Sequence, residues 1–159
     1  MTKSVTSSLM KLTLRKGADM KETRIEIFYL ENDRNLGNPK GSSRPRFSGG
    51  GHTYMPTPYV KHKKFVADQL PHLMINKPIR LTVEFYFKPS KSWPKYKKEA
   101  CIGNPHTIKP DIDNLLKTIL DAGNNLLWVD DTLIYEIRTF KKYAETARTV
   151  LIINEIEGD

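Results

Sequence analysis

The stretch KPDIDNLLKTILDAGNNLLWVDD, residues 109–131, carries the residues best suited to chemistry in this sequence. Its acidic members are Asp111, Asp113, Asp121, Asp130 and Asp131. Carboxylates crowded together repel one another unless a cation neutralises them, and ligation by oxygen alone suits Mg²⁺ or Mn²⁺ better than zinc. Such an ion polarises a phosphodiester and supplies an activated water. The stretch therefore predicts a site for a hard divalent cation.

Spacing places part of this set on one side of a predicted helix. Asp113, Lys117 and Asp121 follow at i, i+4 and i+8 and form one stripe. Two ordinary interpretations stay open, because an aspartate at a helix entrance caps unpaired N–H groups and such a stripe is often a solvated series of salt bridges. The eight residues after the helix can span up to about 26 Å. If they run back along it, Asp130 and Asp131 come to lie beside its first turn.

Hydrophobic periodicity indicates which elements position these side chains. Alternation of apolar residues predicts strands over 23–30, 79–87, 132–140 and 146–155, and helical spacing predicts helices over 59–70 and 112–122. This order favours an α+β fold in a single domain, a mixed sheet of about four strands covered by two helices. Residues 1–22 are interpreted as an N-terminal extension, with flexibility left open, and residues 23–157 as the domain.

Charge is distributed unevenly along the chain. Residues 34–109 contain fifteen Lys and Arg against three Asp and Glu, a net +12, within a chain whose net charge is +8. A basic surface of this size attracts polyanions, and nucleic acid is the usual polyanion of a cell. A solubilising charge excess remains the plain alternative. A lone cysteine, Cys101, forms no intramolecular disulfide, and we find no signal peptide or membrane span, so we expect a cytoplasmic protein.

Two long polar segments, 31–58 and 88–110, are predicted to be loops rich in basic residues. The residues of these loops and of the first helix predicted to bind nucleic acid are Lys40, Arg44, Arg46, Lys61, Lys63, Lys64, Lys91, Trp93, Lys95, Lys97 and Lys98. Trp93 either stacks on unpaired bases or packs on the sheet. The four histidines share no spacing and are interpreted as loop or surface residues, whereas Trp128 is expected in the core.

The motif resembles the centre of the RusA family of Holliday-junction resolvases. Its matching residues are Lys109, Pro110, Asp111, Asp113, Asn114, Lys117, Asp121, Trp128, Asp130 and Asp131. Upstream, Lys40 and the run Arg44-Pro45-Arg46-Phe47 resemble the basic segment of many members. The resemblance covers roughly residues 24–155. Two departures are the extra residues 1–22 and the interruption of the basic segment by Ser42 and Ser43.

The resemblance implies an endonuclease of a bacterial or phage-infected cell. It would resolve four-way DNA junctions as a homodimer with a Mg²⁺ site in each subunit, with Mn²⁺ as a substitute. Asp111, Asp113 and Asp131 would be the metal ligands and Lys117 the catalytic lysine, while Asp121 and Asp130 would support them. Two alternatives stay open. One is a nuclease of the same fold acting on other branched or flapped DNA, and the other is a basic DNA-binding protein without catalytic activity.

Overall fold

A computed structural model describes residues 11–14 and 20–157. The strands are β1 (Lys11–Leu14), β2 (Met20–Phe28), β3 (Arg46–Phe47), β4 (Thr53–Tyr54), β5 (Ile79–Phe87), β6 (Ile134–Tyr143) and β7 (Arg148–Ile156). The helices are α1 (Thr57–Ala67), α2 (Lys95–Cys101) and α3 (Ile112–Gly123), and a short 3₁₀ turn, Asp131–Leu133, leads into β6. Among these described residues no helix has the length and apolar character needed to cross a membrane.

The main sheet has the order β1-β2-β7-β5-β6, and only the pairing of β5 with β6 is parallel. The predicted α+β fold with one mixed sheet is therefore confirmed. Its four long strands correspond to the four predicted ones, and β1 adds a short strand from within the predicted N-terminal extension. Residues 1–10 and 15–19 of that extension lie outside the described residues. Strands β3 and β4 form a separate small hairpin within the first predicted loop.

The core lies between this sheet and the helices α1 and α3. The alternating side chains Ile79, Leu81 and Val83 of β5 are buried, and Leu115 and Ile119 of α3 pack into the same cluster. Full burial of one such side chain stabilises the fold by about 1.5–3 kcal/mol. The apolar stripe of α3 therefore fixes which side of the helix faces solvent, and with it the side that carries the polar residues.

Three details refine the expectations from sequence. Trp128 is fully buried, as predicted for a core residue. The interpretation of the histidines as loop or surface residues is wrong for His62, which is buried on α1, whereas His106 lies in a loop but is also buried. His62 donates a hydrogen bond from Nδ1 to the carbonyl oxygen of Asn35, and His106 stacks on the ring of Phe87, so both are part of the packing. The second predicted loop contains the seven-residue helix α2.

Candidate active site

Asp111 and Asp113 stand at the beginning of α3. Asp111 occupies the N-cap position in an extended conformation, yet its side chain makes no capping hydrogen bond, and Asp113 lies in the first turn. Both residues are exposed to solvent. Because the carboxylate of Asp111 makes no capping hydrogen bond, helix capping does not explain an aspartate at this position.

Two contacts hold the chain that leads into Asp111. The amino group of Lys141 in β6 donates to the carbonyl oxygens of Ile108 and Pro110, at 2.8 Å each. The peptide bond from Lys109 to Pro110 is cis. These contacts fix the backbone immediately before the first aspartate.

The first basic loop is fastened to the same end of α3. The amide of Ser42 donates to the carbonyl of Asn114 at 3.0 Å. Gly41 packs so closely that an added Cβ would lie 3.1 Å from the Cβ of Pro110 and 3.2 Å from that of Asn114. A larger residue at this position would push the loop away, so the close approach explains the glycine.

The chain turns sharply at the other end of α3. The amides of Leu126 and Leu127 both donate to the carbonyl of Gly123, at 3.0 and 2.8 Å. An added Cβ at Gly123 would lie 2.8 Å from the ring of Trp128, so the glycine makes room for the buried indole. The return of residues 123–130 along the helix, which is the condition for the predicted grouping of the aspartates, is not observed: these hydrogen bonds turn the chain at the helix end, and Leu127 and Trp128 are buried there.

The chain instead returns to the N-terminal end of α3 through strand β6. It runs from Ile134 to Lys141 over roughly 20 Å, at about 3.3 Å per residue in a strand, and Lys141 then contacts Pro110. Asp131, just before β6, consequently lies at the C-terminal end of α3, whereas Asp111 lies at the N-terminal end. The eight residues from Asp113 to Asp121 alone correspond to about 12 Å along the helix axis.

Asp131 lies among other acidic side chains. A hydrogen bond with the carboxylate of Asp130 raises the pKa of Asp131, and burial and the negative charges of Asp130 and Asp121 add to the effect. Asp130 also accepts a hydrogen bond from the amide of Thr132 at 3.3 Å and so caps the 3₁₀ turn. The hydroxyl of buried Tyr59 donates to Asp121 at 3.4 Å, which ties α1 to this end of α3.

The donor chemistry of these carboxylates fits a hard divalent cation. All five aspartates of the motif are exposed, and none takes part in an ion pair among the residues that the structure describes. Lys117 is likewise exposed and without an acidic partner in the described part. The same residues contain no group of three or more His, Cys, Asp and Glu placed closely enough to hold a metal ion. One chain thus presents suitable ligands in two places rather than gathered at one point.

A basic cavity of about 450 Å³ adjoins Asp111. Arg34, Lys40 and Lys109 line it together with the polar side chains of Asn35 and Ser43. Arg44 and Arg46, which follow this wall in sequence, are exposed. Of the predicted loop residues, Lys40 therefore lines a positively charged cavity beside the start of α3, and Arg44 and Arg46 are exposed in the segment that follows. Arg34 belongs to the same surface and was not singled out from sequence.

The remaining predicted DNA-binding residues have varied surroundings. On α1, Lys61 is exposed, Lys63 is partly buried and Lys64 pairs with Asp68 at 3.0 Å. On and before α2, Lys91 donates to Asn32 at 2.7 Å, Lys95 approaches Glu99 at 3.9 Å and Lys98 is partly buried. Lys97 lies 4.0 Å above the ring of Trp93, which is itself partly buried against the core. Packing thus accounts for Trp93 without a ligand.

Comparison with known proteins bears on this arrangement. The sequence model of a family described as "Endodeoxyribonuclease RusA" matches residues 37–154. A protein of Bacillus subtilis (strain 168), named "Uncharacterized protein YqaN", is 32% identical over 134 residues, which cover 77% of this chain and 94% of that protein. The matched range contains the five aspartates and Lys117, together with Lys40, Arg44 and Arg46 of the first basic loop.

Proposed function

The chain belongs to the RusA family of endodeoxyribonucleases, and from that premise we propose that it resolves four-way DNA junctions by paired nicks, in recombination and repair. The observation that carries the proposal is the set of exposed aspartates on and after α3, none of which has a basic partner in the described part of the chain. Carboxylates without a nearby positive charge repel one another, and groups of them are characteristic of cation sites.

Within this proposal Asp111, Asp113 and Asp131 hold Mg²⁺, for which Mn²⁺ can substitute. The ion supplies a Lewis acid for the scissile phosphate and an activated water as nucleophile. Lys117, one turn from either end of the acidic stripe, places an ammonium where negative charge grows in the transition state. Asp130 supports Asp131 by capping the turn that carries it, and Asp121 supports it from α3.

The proposal includes a homodimer. Resolving a junction into two duplexes requires two incisions related by symmetry, and two copies with an isologous contact supply two such sites. The separation of Asp111 from Asp131 within one chain also supports a homodimer. A site to which one chain gives the start of α3 and the other gives Asp131 would assemble the ligand set without unfolding either chain.

The basic approach to Asp111 supports DNA as the substrate. Phosphates following the wall formed by Arg34, Lys40 and Lys109 would reach the start of α3, and Arg44 and Arg46 extend that path. Contacts to phosphate position a nucleic acid without reading its sequence. This surface therefore suits DNA binding that does not depend on base sequence.

The experiment uses an immobile synthetic four-way junction and a linear duplex of the same arm sequence, each labelled at the end of one strand. We expect nicks on two opposing strands of the junction with Mg²⁺ or Mn²⁺, no cleavage with a chelator, and tighter binding of the junction than of the duplex. Tight binding without cleavage under every metal condition would favour the non-catalytic alternative. If flapped DNA were cleaved as fast as the four-way junction, the junction would not be the specific substrate.

A further inference from the structure

The outer edge of β6 is covered along only part of its length. At the C-terminal end of the strand, the amides of Gly103 and His106 donate to the carbonyls of Tyr143 and Lys141, at 2.9 and 3.0 Å. The amide of Tyr143 donates in turn to Asn104 at 3.0 Å. Over residues 134–140, no segment among residues 11–14 and 20–157 pairs with this edge.

The covered end reveals which backbone groups point outward. Lys141 and Tyr143 use their outer-edge groups toward residues 103–106, and the register with β5 is regular from Glu136 onward. Because the N–H and C=O of one residue point to the same side of a strand and alternate along it, Ile137 and Thr139 also point outward. Their backbone groups form an open ladder next to a covered one.

The side chains of this open edge include exposed apolar ones and two of opposite charge, Glu136 and Arg138. Tyr135 is 57% exposed and Ile137 is 40% exposed. Residues 134–140 contain no lysine and no proline, two of the devices that keep an edge strand from pairing, and their two charges are of opposite sign, so a matching strand can neutralise them. An exposed apolar edge with free hydrogen-bonding groups favours addition of another strand.

We propose that residues 134–140 of β6 pair antiparallel with the same residues of a second copy of this chain, about a twofold axis at Ile137. This inference rests on the homodimer of the proposed function and names the surface that forms it. The two sheets then join into one continuous sheet through β6. Ile137 of each copy faces Ile137 of the other in a hydrogen-bonded pair, which also covers its exposed apolar side chain.

Charge selects this register over its neighbours. With odd-numbered residues pointing outward, the twofold axis can pass at residue 136, 137 or 138. An axis at 136 sets Glu136 against Glu136, and an axis at 138 sets Arg138 against Arg138. The axis at Ile137 instead sets Glu136 against Arg138 twice, and opposite charges directly across a strand pair are stabilising whereas like charges are not.

The surroundings of these two residues agree with that pairing. Glu136 already forms an ion pair with Arg80 through one carboxylate oxygen, Oε2, which leaves its other oxygen available. Arg138 is exposed and has no acidic partner within the described part of the chain. The second copy would therefore give Arg138 a partner and place each Glu136 between two guanidinium groups.

Charge reversal tests the register. Arg138→Glu makes both paired positions acidic, and Glu136→Arg makes both basic, so each variant alone should raise the dimer dissociation constant roughly tenfold or more through like-charge contacts. An equimolar mixture should restore dimers by forming heterodimers. Sedimentation velocity of the full chain measures all three samples. A wild-type monomer at every concentration, or variants that both dimerise like wild type, would overturn the inference.

Cross-linking provides a second readout that does not depend on weakening the dimer. In a Cys101→Ser background, chains with Glu136→Cys and chains with Arg138→Cys should form a disulfide-linked species on mild oxidation when mixed. Exposed Glu145, in the turn after β6, supplies the control, and Glu145→Cys should not link to Arg138→Cys. Equal linking of both mixtures would contradict the pairing.

The junction assay separates failure of this inference from failure of the proposed function. If the wild-type protein cleaves junctions while the charge variants dimerise normally, the β6 interface is wrong and the nuclease assignment stands. If the specific cross-link forms but no metal supports cleavage, the interface stands and the nuclease assignment fails.

Discussion

The amino group of Lys141 lies 2.8 Å from the carbonyl oxygen of Pro110, the residue immediately before Asp111. The same group donates to the carbonyl of Ile108, so one side chain closes the loop that enters α3. Lys141 stands near the end of the strand that begins just after Asp131. Strand β6 therefore runs from the residues that follow Asp131, at the C-terminal end of α3, to the segment that precedes Asp111, at the N-terminal end. Lys141 positions Asp111 through the backbone of that segment and is not itself a metal ligand.

Replacing Lys141 by Met should lower junction turnover by about 10- to 100-fold, because small displacements of a catalytic group cost this much. Junction affinity should change by less, since Lys141 is turned toward the protein backbone. Single-turnover cleavage and binding titrations measure the two quantities. Lys142→Met removes the same charge from the next residue, which lies over the ring of Phe140, and is the matched control. Similar turnover for both variants would contradict a positioning role for Lys141.

Lys117→Ala should lower the rate of cleavage by about 100-fold while changing junction affinity little. The expectation follows from its proposed action on charge that develops only in the transition state. Lys117 has no ion pair within the described residues, so its loss should leave stability nearly unchanged. Equal losses of rate and affinity would make it a binding residue instead.

The double variant Arg44→Ala with Arg46→Ala should flatten the dependence of junction affinity on salt. Each lost phosphate contact reduces the slope of log K against log salt by about 0.9, so two contacts correspond to roughly 2. Lys77→Ala serves as control, because Lys77 is paired with Glu157 at 2.7 Å and lies outside the basic loop. An unchanged slope in the double variant would move the DNA path away from the loop.

His106 should make stability depend on pH. Burial and the nearby charge of Lys141 lower the pKa of His106 from 6.5 to about 4, and its ring stacks at 4.0 Å on Phe87. As pH falls, the histidine of the unfolded chain binds a proton before that of the folded chain. The contribution of neutral His106 to the free energy of unfolding is therefore full above about pH 6.5 and is lost between pH 6.5 and 4. His106→Phe keeps an aromatic ring without the proton. Urea unfolding across this range should show a weaker loss for the variant, and identical pH profiles would contradict the assignment.

Much of the fold follows from local patterns. Strict alternation over 79–87 predicts β5 with the bounds that the structure shows, and the spacing of Leu115 and Ile119 predicts α3. Burial on one side of each element produces these periods, so the signal is contained in the segment itself. Side chains such as His106 do not follow from such patterns, because their burial depends on segments that meet only in three dimensions.

The arrangement of the site depends on contacts between distant segments. The five aspartates are recognisable by type and spacing, but the position of Asp131 depends on where the chain turns after α3. That turn is fixed by burial of Trp128 beside Gly123 and by the parallel pairing of β6 with β5. Lys141 follows Pro110 by thirty-one residues, and no local pattern marks it as a partner of that loop.

The most direct test of the account is the cleavage rate of the Asp111→Asn, Asp113→Asn and Asp131→Asn variants on a four-way junction with Mg²⁺. The amide keeps the shape of each side chain and removes the charge that holds the ion. Since a metal ion contributes several kcal/mol of transition-state stabilisation, we predict losses of at least about 100-fold with unchanged folding and junction binding. Asp68→Asn, which alters an exposed aspartate paired with Lys64, should cleave like wild type. Wild-type rates in the three variants would contradict the assignment of these aspartates as metal ligands.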